Sequence, residues 1–162
     1  MNGNGGSNSA THQLRNSLLI FAQLMTYTPN DLPQVAAALL QEYGPNRVYA
    51  LIGELGAGKT TLVAEMCRQL GVVEPTSSPT FSIVNQYKGD GGIIYHLDCY
   101  RLDTVEEAIR AGLEELLAEA PGTVFIEWPA VIEALLPDDA VVLRLSHSED
   151  GASRNLTAEA LS

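Results

Sequence analysis

The stretch Gly53-Glu54-Leu55-Gly56-Ala57-Gly58-Lys59-Thr60 constrains this chain more than any other. Two glycines separated by four residues, then Lys and Thr, make the pattern of a phosphate-binding loop. The spacing lets the backbone curl so that successive N–H groups point into one concavity, closed by the first turn of a helix. Gly56 and Gly58 let the chain adopt positive φ and approach the phosphate oxygens with no Cβ in the way. Lys59 is then placed to reach the β- and γ-phosphates, and the Thr60 hydroxyl to ligate Mg²⁺. The flanks agree. Val48-Tyr49-Ala50-Leu51-Ile52 reads as a strand buried on both faces. Val63, Met66, Cys67 and Leu70 share one helical face, and Gly71 stands where a helix commonly ends. Strand, loop and helix together predict a nucleotide site rather than a bare glycine-rich turn.

A chain of 162 residues, 46% apolar, suits one globular domain with a full core. Its net charge of −11 repels phosphate backbones, which argues against autonomous nucleic-acid binding and is compatible with a basic partner protein. Cys67 and Cys99 lack any paired metal spacing and read as reduced thiols of a cytoplasmic protein. No run approaches the length of a membrane span. Residues 17–25 imitate the apolar core of a signal peptide, but little positive charge precedes them and no small-residue cleavage site follows. They read as part of an opening strand.

Residues 1–16, rich in Asn, Gly and Ser, are expected to form a disordered tail ahead of a single domain over residues 17–162. Residues 18–26 suit a first, edge strand. Asn30 or Asp31 caps a helix with Leu32, Val35, Leu39 and Leu40 on its buried side, and Gly44-Pro45-Asn46 stops it. Residues 81–87 and 93–98 flank the turn residues 88–92, which predicts a hairpin with a five-residue loop. Thr104 and Glu107 have capping-box spacing, and apolar positions from Val105 to Leu117 continue as one helix. Pro121-Gly122 is a turn, Thr123-Val124-Phe125-Ile126 a buried strand ending at Glu127, and a short helix follows Pro129. Residues 140–145 make the last clear strand, and the chain from Glu149 is weakly patterned. The expected fold is α/β: a P-loop NTPase-like three-layer α/β/α domain with a mixed, mostly parallel sheet that includes an antiparallel hairpin.

Phosphoryl transfer needs a metal site, a group that orients the attacking water, and donors for the leaving phosphate. Carboxylates at the ends of buried strands supply such groups. Glu127 and Asp98 are the two candidates: either can hold Mg²⁺, the other polarise water. With Lys59 they form the candidate catalytic set, and with Thr60 the candidate metal set. Glu54, Leu55, Gly56, Ala57, Gly58, Lys59, Thr60 and Thr61 are the candidate nucleotide contacts of the loop. Thr80, in Ser78-Pro79-Thr80, occupies the position of a segment that senses the γ-phosphate, unless the triplet is only a turn. Trp128 is either a core residue or one that stacks near the nucleotide. His96 reads as a satisfied structural histidine with no catalytic role.

Four motifs in order, GELGAGKTT (53–61), SPTF (78–81), HLDCYRL (96–102) and IEWP (126–129), resemble the TsaE family, also called YjeE. These are small bacterial P-loop ATPases required for threonylcarbamoyladenosine in tRNA. The resemblance covers residues 18–146, with Glu54 standing where the family often has Asp and Cys99 where it often has a larger apolar residue. It implies that Lys59 and Thr60 bind phosphate and Mg²⁺, gives Asp98 and Glu127 functional roles, and places Thr80 and Trp128 near the nucleotide. It also implies ATP and Mg²⁺ as cofactors and the TsaB and TsaD subunits as partners. TsaD then transfers the threonylcarbamoyl group to N6 of adenosine 37, so tRNA is contacted at most indirectly. Two alternatives remain: a regulatory module that binds nucleotide with little hydrolysis, and a small-molecule P-loop kinase. The scarcity of clustered arginines for a lid disfavours the kinase.

Overall fold

The computed structural model describes residues 25–119 and 122–161. The expected tail, most of the expected first strand and Pro121 of the expected turn lie outside those residues. A seven-stranded sheet runs β1 (Met25–Tyr27), β7 (Arg154–Ala160), β6 (Val141–His147), β2 (Val48–Ile52), β5 (Thr123–Glu127), β4 (Gly92–Asp98), β3 (Val84–Gly89). The four middle strands β6, β2, β5 and β4 are mutually parallel, whereas β3 and β7 run against their neighbours. Residues 25–27 are the edge strand expected there, antiparallel to β7.

Alternation along the buried strands divides the core between two faces. Tyr49, Leu51, Phe125 and Leu143 point to one side, where they pack with helices α1 (Leu32–Tyr43) and α2 (Lys59–Gln69). Val48, Val124, Ile126 and Leu97 point to the other, against α3 (Val105–Arg110), α4 (Leu113–Glu119) and a 3-10 segment, Pro129–Leu135. Sheet between two helical layers is the three-layer arrangement the sequence predicts. Tyr49 and Phe125, register partners on β2 and β5, stack with ring centroids 5.4 Å apart, and both are fully buried. Burial of each contributes about 2–3 kcal/mol.

Helix α2 buries Val63, Met66 and Cys67 as the sequence reading expects; the buried face extends back to Leu62 and Lys59, and Leu70 is partly buried against the same core. The helix ends just before Gly71, at φ +95°. Three expectations are corrected. The hairpin turns in the two residues Asp90-Gly91, because Lys88 and Gly92 both belong to the ladder. Residues 81–83 stay outside it. The expected helix over 105–117 is two, since Gly112 at φ +86° breaks the ladder between α3 and α4. The chain after Glu149 is not featureless: β7 pairs with β6 along its whole length, burying Leu156 and Ala158 at alternate positions.

Candidate phosphate-binding site

Strand β2 at the centre of the sheet delivers the chain into the loop at residues 53–58. Gly53 is required by close approach: a Cβ there would lie 2.6 Å from the Leu145 carbonyl oxygen on β6. Gly56 and Gly58 take φ of +80° and +101°, as the sequence reading expects, and Gly58 leads directly into α2. The first turn of α2 thereby aims N–H groups without intrahelical partners at the mouth of the loop. Leu55 and Glu54 are exposed on the rim, and Ala57 is buried under it.

Lys59 is 5% exposed and donates through Nζ to the carbonyls of Gly53 and Glu54. Its Nζ also lies 4.1 Å from the centre of the Trp128 ring. Burial lowers the Lys59 pKa below its ordinary value, opposed by the negative charges of Glu127 and Asp98. Trp128 sits at φ +57°, ψ +58°, a left-handed conformation that a bulky residue adopts only when its surroundings hold it there. Its ring is packed between Lys59 and Tyr100, whose ring centroid is 5.0 Å away. Of the two readings of Trp128, the structure shows the side chain half-buried in the cleft wall rather than sunk in the core.

Glu127 and Asp98 end neighbouring parallel strands and are register partners, so both carboxylates reach the carboxyl edge of the sheet together. Glu127 is 3% exposed and collects three donors. Thr60 Oγ1 lies 2.8 Å from Oε1, Ser78 Oγ 2.6 Å from Oε2, and His96 Nε2 2.6 Å from Oε2. Burial alone would raise the Glu127 pKa. The hydrogen bonds from His96 and Ser78, the His96 charge and the Thr60 hydroxyl outweigh it and hold the carboxyl below the usual range. Asp98 accepts from the Tyr100 N–H at 2.9 Å and faces the same cleft.

A cleft of about 420 Å³ is bounded by Gly56, Gly58, Lys59, Thr60, Thr61, Ser78, Asp98, Glu127, Trp128 and Arg154. Nearly all the sequence candidates therefore meet in one place. Thr80 is exposed and lines an adjoining cleft with Pro79, Phe81, Tyr100 and Arg101. From its triplet it is Ser78 that bonds both Glu127 and Thr60. The loop carrying Ser78 is tied to the hairpin, because Tyr87 Oη both donates to the Ser77 carbonyl and accepts from the Ser77 N–H, at 2.9 and 3.1 Å. His96, expected to be structural, is 1% exposed and bonds Glu127, and its Nδ1 has no hydrogen-bond partner among the described residues. The signal for it was available: two residues before Asp98 on one strand, it shares that strand's face.

Among the described residues no three His, Cys, Asp or Glu side chains gather into a metal site. One hydroxyl and adjacent carboxylates are a hard oxygen set, suited to Mg²⁺ that keeps its waters and takes phosphate oxygens. The donor set fits that cation bound with a polyphosphate. It does not fit a metal held by protein alone.

A family model described as threonylcarbamoyl adenosine biosynthesis protein TsaE matches residues 26–156. A Bacillus subtilis protein named tRNA threonylcarbamoyladenosine biosynthesis protein TsaE is 31% identical over 125 residues, 77% of either chain. A Rickettsia bellii protein of the same name is 32% identical over 133 residues, 82% of this chain and 91% of that one. The crystal structure of Bacillus subtilis YdiB superposes with a TM-score of 0.63 at 25% identity, covering 86% of this chain and 87% of that one.

Proposed function

This chain belongs to the TsaE family, and from that premise we propose that it is a Mg²⁺-dependent ATPase supporting N6-threonylcarbamoyladenosine synthesis at tRNA position 37. It works in the cytoplasm, slowly by itself, within a complex with the TsaB and TsaD subunits. The names carried by its relatives support the pathway. One observation supports the chemistry: Thr60 on the phosphate loop and Glu127 on the neighbouring strand end meet at 2.8 Å. That contact joins the group that follows the loop lysine to a buried carboxylate, which is the pairing a phosphate-bound cation requires.

Bound as its Mg²⁺ complex, ATP supplies the phosphoanhydride bond and the metal neutralises charge on the transferring phosphoryl group. The residues do the rest. Main-chain N–H groups of the loop and the first turn of α2 grip the phosphates. Lys59 exchanges the carbonyls of Gly53 and Glu54 for phosphate oxygens, a stronger, charge-assisted pairing. Thr60 and Glu127 hold the cation, and His96 and Ser78 keep Glu127 ionised and oriented. Asp98, one strand over, orients the attacking water. Trp128 walls Lys59 from solvent and strengthens the local field. Hydrolysis then drives a conformational cycle of the complex and performs no chemistry on tRNA.

The test is reconstitution with TsaB, TsaD and tRNA. Repeated rounds of modification should require hydrolysable ATP. Repeated rounds with a non-hydrolysable analogue would overturn this reading.

A further inference from the structure

A second cleft, of about 500 Å³, is lined by Ser78, Pro79, Phe81, Asp98, Tyr100 and Arg101. It shares Ser78 and Asp98 with the phosphate cleft and takes no residue from the loop at 53–58. The two spaces therefore meet at the Asp98 carboxylate, with the loop on one side and Arg101 on the other. In-line displacement brings the nucleophile to the terminal phosphorus opposite the departing oxygen. With the leaving diphosphate held in the loop, that approach comes from the Asp98 side, where the second cleft opens.

One turn of the chain carries both charged groups found there. Asp98 ends β4 and accepts from the Tyr100 N–H at 2.9 Å. The Leu102 N–H closes the turn on the Cys99 carbonyl at 3.1 Å, and the Cys99 N–H ties it to the Glu127 carbonyl on β5 at 3.0 Å. Cys99 and Leu102 are buried, so both ends are pinned while Tyr100 and Arg101 project from the turn. The Tyr100 ring rests in its turn on Trp128. Arg101 spends its charge on no neighbouring acid: among the described residues it forms no ion pair, although Asp98 stands three positions before it. Lys59 and Arg154 are the cations of the phosphate cleft, whereas Arg101 is the cation of the cleft beyond the carboxylates.

We propose that Arg101 is a catalytic residue supplied in cis, its guanidinium meeting the equatorial oxygens of the terminal phosphate from the attack side. As water adds to the γ-phosphorus, the bond to the β,γ-bridging oxygen breaks and its electron pair leaves with ADP. The proton shed by the water passes to solvent. Negative charge is spread over the equatorial oxygens in that state, and a planar, permanently charged fork of donors stabilises it. The inference rests on the triphosphate reading of the phosphate site, and the test separates the two.

The full chain, Arg101→Ala and Arg101→Lys are each titrated with ATP, with ADP, and with ADP plus aluminium fluoride, all in the presence of Mg²⁺. Aluminium fluoride stands in for the transferring phosphoryl group and should tighten ADP binding to the wild-type chain. Arg101→Ala should weaken that complex at least about tenfold and slow single-turnover hydrolysis about a hundredfold. Its affinities for ATP and for ADP alone should stay within about twofold of wild type, which also shows that the variant is folded. Arg101→Lys keeps the charge without the planar fork and should recover only part of the loss. An aluminium fluoride complex as tight in Arg101→Ala as in wild type would overturn the proposal. So would equal losses for ATP and for the aluminium fluoride complex, because Arg101 would then serve the bound ground state or the fold. A wild-type chain whose ADP binding gains nothing from aluminium fluoride would overturn it too, since a cation supplied in cis needs no partner. A wild-type chain that binds none of the three would sink the phosphate-loop reading itself.

Discussion

At the scale of single residues, the site is a set of charges whose partners are fixed before any ligand arrives. Lys59 is the sole lysine in the cleft, so Lys59→Ala should weaken ATP binding about a hundredfold, near 3 kcal/mol, in a calorimetric titration. Thr60→Ala should lose mainly the Mg²⁺-dependent part of that affinity. Glu127 makes a pH prediction. Its pKa is lowered on folding, so the stability it contributes is complete above the ordinary carboxylate value of 4.5 and is lost as pH falls through the lowered one. Thermal melts from about pH 7 down to about pH 3 should show the gap between wild type and Glu127→Gln closing at the acid end. That the loop residues, Asp98 and Glu127 would face one cleft was legible, from the motif's spacing for the loop and from the ends of apolar strands for the carboxylates. The bonds of His96 and Ser78 to Glu127 were not, since sharing a strand face with Asp98 marks His96 but does not show which carboxylate folding brings to it.

Elements were legible where their pattern was long or buried, and illegible where a single residue decided the outcome. The stripe of α2 and the continuous apolar runs of β2 and β5 were read correctly because burial dictates them. Gly112 splits the expected helix through its backbone conformation alone, and the spacing of Ile109, Leu113 and Leu116 gives no warning of it. Strand β7 alternates polar and small residues too weakly to be read until β6 lies beside it. It nonetheless supplies Arg154 to the cleft. At this scale Gly53 tests the contact between loop and sheet. Gly53→Ala would place a Cβ 2.6 Å from the Leu145 carbonyl oxygen, so chemical denaturation should show a loss of about 1–3 kcal/mol. ATP affinity should drop with it. An unperturbed melt would mean that the loop does not press on β6 as described.

For the molecule as a whole, a strongly acidic surface surrounds a cleft that concentrates Lys59 and Arg154 beside two carboxylates. The proposed function draws on that charge for a division of labour, in which this chain would handle nucleotide and another subunit would hold the tRNA. A gel-shift titration with tRNA at physiological salt should show no complex with this chain alone. The two-sided core explains how so small a domain fixes its site. Core residues on both faces pack β4 and β5, whose paired ends hold Asp98 and Glu127 side by side. The central claim is that this fixed pair of strand ends performs hydrolysis rather than merely retaining nucleotide. Its most direct test is single-turnover hydrolysis of Mg²⁺-ATP by wild type, Glu127→Gln and Asp98→Ala. The account predicts that both variants bind ATP and cleave it at least about tenfold more slowly; equal rates in all three would contradict it.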